Sequence, residues 1–162
     1  MKHRFFLLLT SLAFSFLTHA QEGQPIAINA GNIEHLTIVD DIDLILLQGK
    51  PDDKGISIDK DASEKIDVRL FNNSMEIAMR TNLFKKEKPT VIVFVNDLKK
   101  LTVIGNSTVK TRGFLNTSKL DLYVDGNPHV YLVTNGKINA FPMGESQINV
   151  QKLTAADAIK GF

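Results

Sequence analysis

The sequence predicts an all-β fold, and three features carry that prediction. Apolar and polar residues alternate in short runs, turn residues close each run, and a glycine recurs at one place in three similar segments. Alternation with period two puts successive side chains on opposite faces of a strand. Short alternating runs bounded by Gly, Pro, Asn and Asp are strands joined by tight turns. A long amphipathic helical pattern is nowhere visible.

In chain order the expected strands are Ile26-Ala27-Ile28, His35 to Val39, Ile42 to Leu47, Gly55 to Asp59, Lys65 to Leu70, Ser74 to Met79 and Thr90 to Val95. The turns between them are Gln48-Gly49-Lys50-Pro51-Asp52-Asp53, Asn72-Asn73, Lys85 to Pro89 and Asn96-Asp97. The second half carries a weak internal repeat. Leu101 to Val109 lines up with Leu122 to Val130 at an offset of 21, and Phe141 to Ile148 follows with its glycine 18 residues later. Each copy is an apolar strand, then Gly105, Gly126 or Gly144, three polar or turn residues, and Val109, Val130 or Ile148. A glycine at a fixed place marks a corner that needs positive φ or close backbone approach. A period near 20 in β-rich sequence predicts a solenoid in which each coil lies on the one before. The alternative is a β-sandwich whose hairpins resemble one another. In the stacked arrangement Leu101, Val103, Leu120, Leu122, Val124, Val130 and Ile148 form the core. Thr154 to Ile159 is either a short helix, with Leu153, Ala156 and Ile159 spaced at three, or a last strand.

The N-terminus has the three parts of a secretory signal peptide. Lys2, His3 and Arg4 are basic, Phe5 to Leu17 are 13 uncharged apolar and small residues, and Thr18 and Ala20 supply the small side chains of a cleavage site. A membrane-spanning helix needs about 20 apolar residues, so the expectation is cleavage after Ala20 and no transmembrane anchor. Residues 21–162 then form a single domain. Cleavage removes two of the 19 basic residues and none of the 18 acidic ones, leaving a net charge of −1. A near-neutral chain has no electrostatic reason to bind nucleic acid. The sequence has no cysteine, so stability must come from a packed core and not from disulfides.

Chemistry-bearing clusters are sparse. Asp40, Asp41 and Asp43 are the densest acidic group, but no Asp-x-Asp-x-Asp-Gly loop accompanies them, and calcium needs several converging carboxylates. They fit a solvated turn. A lyase on a solenoid needs an Arg or Lys base beside cation-binding carboxylates; Asp67 and Arg69 can share a strand face, which fits a surface ion pair. His35 and His129 stand alone in each half, too few for zinc, and no Gly-x-Ser-x-Gly elbow is present. Neither a cofactor nor a metal is expected. Tyr123 and Tyr131, with phenylalanines and no Trp, make a thin platform for sugar stacking.

Three stretches resemble a known family. They are Ile38-Val-Asp-Asp-Ile-Asp-Leu-Ile-Leu-Leu-Gln-Gly49, Asn73-Ser-Met-Glu-Ile77, and Val91-Ile-Val-Phe-Val-Asn-Asp-Leu-Lys-Lys-Leu-Thr-Val-Ile-Gly-Asn-Ser-Thr-Val109. Together they resemble the putative auto-transporter adhesin, head GIN domain family of exported bacterial proteins, over residues 33–150. The resemblance implies a short right-handed parallel β-solenoid. It also implies a non-enzymatic binding module in the periplasm, at the outer-membrane surface or outside the cell, facing a cell-surface glycan or protein ligand. The sequence departs from the family's Gly-Ser-rich corners, having Asn, Asn and Glu after its glycines, and about one coil follows the third corner. The rival reading is a carbohydrate-active enzyme or carbohydrate-binding protein on the same scaffold. With the corner glycines assigned to structure, the surface left for recognition is the ridge Asn106, Ser107, Asn127, His129, Glu145 and Ser146.

Overall fold

The computed structural model describes residues 26–50, 55–80 and 88–153, with Lys60 and Asp61 as backbone only. The strands are β1 (Ile26–Ile28), β2 (His35–Val39), β3 (Asp43–Gln48), β4 (Gly55–Ile58), β5 (Ile66–Phe71), β6 (Ser74–Met79), β7 (Thr90–Val95), β8 (Lys100–Gly105), β9 (Thr108–Arg112), β10 (Lys119–Gly126), β11 (His129–Thr134), β12 (Lys137–Met143) and β13 (Gln147–Lys152). One helical turn, α1 (Lys60–Ser63), lies between β4 and β5. All seven expected runs of the first half are strands, with ends shifted by one residue at most. Among the described residues no helix is long and apolar enough to cross a membrane. The proposed signal segment and the helix-or-strand question at Thr154 to Ile159 lie outside the described residues.

The strands make two mixed sheets. One runs β1-β4-β7-β3-β9-β11-β13, the other β12-β10-β8-β2-β6-β5. Five consecutive pairs (β2/β3, β6/β7, β8/β9, β10/β11 and β12/β13) each place one strand in either sheet, and like strands of neighbouring pairs run parallel. Each pair is one tier of a stack. The internal repeat is the stacking register itself: Leu101 sits beside Leu122 and Gly105 beside Gly126, while Leu122 sits beside Ala140.

The tiers do not follow chain order throughout, which corrects the expectation of coil laid on preceding coil. The first tier in sequence, β2/β3, lies between β6/β7 and β8/β9. Strands β1, β4 and β5 add antiparallel neighbours at the β6/β7 end. Two facing sheets over one core are also the layout of the sandwich alternative.

The core follows from strand alternation. Leu36, Ile38, Met75, Ile77, Leu101, Val103, Leu120, Leu122 and Val124 come from one sheet; Leu44, Leu46, Val91, Val93, Val109, Val130 and Leu132 come from the other. Each such side chain contributes about 1.5–3 kcal/mol when fully buried, an upper figure because the unfolded chain already hides some surface. Of the expected core set all are buried except Ile148, which is half-buried because its tier ends the stack.

Candidate binding ridge at the glycine corner

The corner joining the two sheets is built from residues in the left-handed backbone region. Gly105, Gly126 and Gly144 have φ of 106°, 95° and 80°. They also stack closely. A Cβ on Gly126 would lie 2.7 Å from the Gly105 carbonyl oxygen, and one on Gly144 would lie 2.6 Å from that of Gly126. Glycine is required here by both conformation and space. The column continues to Asp40, whose φ is 72° and whose N–H donates to the Ile104 carbonyl at 2.9 Å. The aspartate cluster is thus a fourth copy of the corner. Sequence reading missed it because Asp40 stands where the other copies have glycine; Asp is one of the few L-residues that tolerates this region.

The register then sets the polar residues into columns. One residue past the corner come Asp41, Asn106, Asn127 and Glu145, all exposed. The Asn106 amide donates to Asp41 Oδ1 at 3.1 Å. Lys88 Nζ donates to the Asn106 carbonyl. Three residues past the corner, Asp43, Thr108, His129 and Gln147 stand side by side, with His129 Nδ1 3.0 Å from Gln147 Oε1.

The six expected ridge residues divide. Asn106, Asn127 and Glu145 share the exposed column and His129 the half-buried one beside it. Ser107 belongs elsewhere. It is fully buried, donates to the Asp40 carbonyl at 2.6 Å and accepts from the Ile42 N–H at 3.2 Å. This hydroxyl pins the Asp40 corner to its neighbour. Ser146 is half-buried, with its Oγ enclosed. The usable ridge is therefore Asp41, Asn106, Asn127 and Glu145, flanked by His129.

The aromatic side chains occupy the outer sheet faces. Tyr123 and Phe141 stack at 4.7 Å between centroids and 15° between planes, with Lys100 Nζ 4.7 Å from the Tyr123 centroid. Tyr131, exposed, has Lys110 Nζ at 5.9 Å. At the other end of the molecule Arg69 bonds Asp67 and Glu76, each at 3.1 Å, on a well-exposed side chain. That is the surface ion pair expected of it.

Elsewhere Asp121 and Glu34 each have a local partner. The Asn139 amide donates to Asp121 Oδ1 at 2.7 Å, and with Lys119 it holds the Asp121 carboxyl below the usual range. The Lys99–Glu34 bridge at 2.9 Å lowers Glu34 and raises Lys99. Among the described residues no three His, Asp or Glu side chains converge at metal-binding distance.

The opposite corner holds a polar network that sequence reading did not find. Thr117 and Thr134 are buried, and their hydroxyls donate to the Leu98 and Leu115 carbonyls, each at 2.9 Å. The Asn135 amide donates to Asn116 Oδ1 at 2.7 Å, and Gln48 Oε1 accepts from the Asn116 N–H at 2.7 Å. The signal available was the Asn116-Thr117 and Thr134-Asn135 dipeptides, the first in the connection before β10 and the second at the end of β11. Their hydrogen bonds satisfy backbone groups that a buried corner would otherwise orphan, so the network is structural.

Comparison with known proteins places this architecture. Residues 32–158 match the family model "Putative auto-transporter adhesin, head GIN domain". The chain belongs to this GIN-domain family. Among solved structures it is similar to a putative adhesin from Parabacteroides distasonis ATCC 8503, at 16% identity and TM-score 0.46 over 80% of this chain. It spans 66% of that protein's length. A putative adhesin from Parabacteroides merdae ATCC 43184 is similar at 9% identity and TM-score 0.43, covering 79% of this chain and 95% of the other. A "Putative lipid binding protein" from Parabacteroides distasonis ATCC 8503 aligns at 14% identity and TM-score 0.39, over 75% of this chain and 61% of the other. No curated protein sequence matches the GIN-domain chain.

Proposed function

We propose that this GIN-domain protein is a non-enzymatic binding module of the cell envelope or its exterior. In this reading the tiers form a short right-handed parallel β-solenoid that serves as a rigid support, and the glycine corner carries the recognition surface. The observation that carries the proposal is the exposed column Asp41, Asn106, Asn127 and Glu145. Its four side chains are held about 4.8 Å apart by the strand spacing and are positioned by a corner whose own residues are fully committed to structure. Amides and carboxylates spaced along a rigid line offer several hydrogen bonds at little entropic cost. That suits the hydroxyl-rich surface of a glycan or the polar face of a protein. Family membership supports the adhesin assignment, and the basic, apolar and small-residue parts of residues 1–20 support export with Gln21 as the mature N-terminus.

The test is a combined Asn106→Ala, Asn127→Ala and Glu145→Ala variant assayed for attachment on whole cells. Attachment should fall at least tenfold with an unchanged melting temperature. Attachment equal to the parent's would remove the ridge from consideration.

A further inference from the structure

Among the described residues each of the two sheets ends in two edge strands, and three of these four edges are blunted. β1 has only 3 residues. β5 carries the Arg69–Asp67 pair. β12 contains Pro142, and its position matters. The Lys137 N–H donates to the Ser118 carbonyl, toward β10. Because backbone groups alternate along a strand, residues 138, 140 and 142 face the free side, where a missing N–H spoils any further ladder. Such devices keep sheet edges from pairing with other chains.

β13 is neither short nor interrupted by proline, and its one charge is Lys152 at the last position. The Gln147 and Leu153 N–H groups donate toward β11, to the Pro128 and Thr134 carbonyls. The N–H and C=O groups of Ile148, Val150 and Lys152 therefore point to the free edge of a 6-residue strand without proline or acidic side chain. The same alternation turns Ile148 and Val150 toward the core. In the tier below, their partners Val130 and Leu132 are 0% and 1% exposed, whereas Val150 is 37% exposed. An apolar core end thus lies beside an uninterrupted hydrogen-bonding edge.

We propose that this edge pairs with a second copy of the chain, β13 against β13, antiparallel about a two-fold axis at Val150. The strand is self-complementary in that register. Val150 meets Val150 of the other copy, and Ile148 lies against the aliphatic stem of Lys152, so all six edge groups of each strand find partners. Outward, Asn149 stands opposite Gln151, amide to amide, with no like charges opposed. The distant end of the stack is closed by β1, β4 and β5, so copies join tip to tip into a closed pair and not head to tail into a fibre.

The experiment uses the full chain lacking only residues 1–20, with its mass measured by light scattering after gel filtration. The expected result is a dimer whose mass halves in Val150→Lys, where two ammonium groups would face each other across the axis. Since the chain has no cysteine, Val150→Cys should cross-link into a covalent dimer under mild oxidant while the exposed Lys110→Cys does not. A parent that is monomeric at every concentration overturns the proposal, as does a dimer indifferent to Val150→Lys. So does a monomer that dimerises only after residues 154–162 are removed, since the chain's own C-terminal segment would then be the occupant.

Discussion

Gly126 and Gly113 adopt the same left-handed backbone, with φ of 95° and 81°, but in different surroundings. A Cβ on Gly113 meets nothing within 4 Å, whereas one on Gly126 meets the Gly105 carbonyl oxygen at 2.7 Å. Conformation alone costs an L-residue about 1–2 kcal/mol, partly offset by the entropy lost from the unfolded chain. Gly113→Ala should therefore cost about 1 kcal/mol, and Gly126→Ala about 3 kcal/mol or more, because backbone must also move. Urea midpoints of the two variants test this; equal losses would show that the corner is not tightly stacked. Asp121 offers a second test at this scale. Its carboxyl is lowered first by the Asn139 amide and then by Lys119. A lowered folded value stabilises the fold above the ordinary aspartate range, and the gain disappears as pH falls through the lowered value. The melting-temperature gap between the parent and Asp121→Asn should accordingly close on acidification. A gap that is constant with pH would mean that the carboxylate charge contributes nothing. Lys99, being raised, acts with the opposite sign: its share is complete below the ordinary lysine range and is lost as pH rises past the raised value.

Among the elements, β10 is the longest strand, 8 residues, with parallel neighbours β8 and β12 on either side. Its Val124 is 0% exposed and sits beside Val103 and Pro142. Val124→Asp places an unpaired carboxylate in that core and should cost about 4 kcal/mol or more, read as a collapse of the urea midpoint. A parent-like midpoint would put the strand one residue out of register. The strands themselves were legible in the sequence because period-two alternation is a local signal, and Ile, Val and Leu mark most of their buried faces, Leu70 and Ile104 being exposed exceptions. The repeat at Gly105, Gly126 and Gly144 was legible because neighbouring tiers there are also neighbours in sequence. The fourth corner was not, since Asp40 replaces glycine and its partner Gly105 is 65 residues away. Nor could the sequence separate Ser107 from Asn106: both are small polar residues after a glycine, and only the tier beneath turns one hydroxyl inward. The threonine and amide network at the other corner escaped notice for the same reason, because its partners come from different tiers.

At the level of the whole molecule, the ridge and the β13 edge are separable surfaces. The ridge lies on side chains beyond the corner, the edge on backbone groups at the tip of the stack, so variants at one should leave the readout of the other unchanged. The insertion of β2/β3 into the middle of the stack has a further consequence, in time instead of space. β2 pairs with β6 and β8, His35 lying opposite Ser74 and Lys100, while the later tiers pair at separations of 18 to 21 residues. Closing a longer loop costs more entropy before any contact repays it, and distant pairings slow folding. During N-to-C synthesis the first tier made therefore waits, over the longest stretch of chain, to be flanked on both sides. Until Val95 has emerged β2 and β3 lack both flanking tiers, and until Arg112 has emerged each still has one side unpaired. That interval is when a partly formed sheet is open to pairing with another nascent chain. Chain order thus makes the centre of the finished stack the most vulnerable part of the unfinished one.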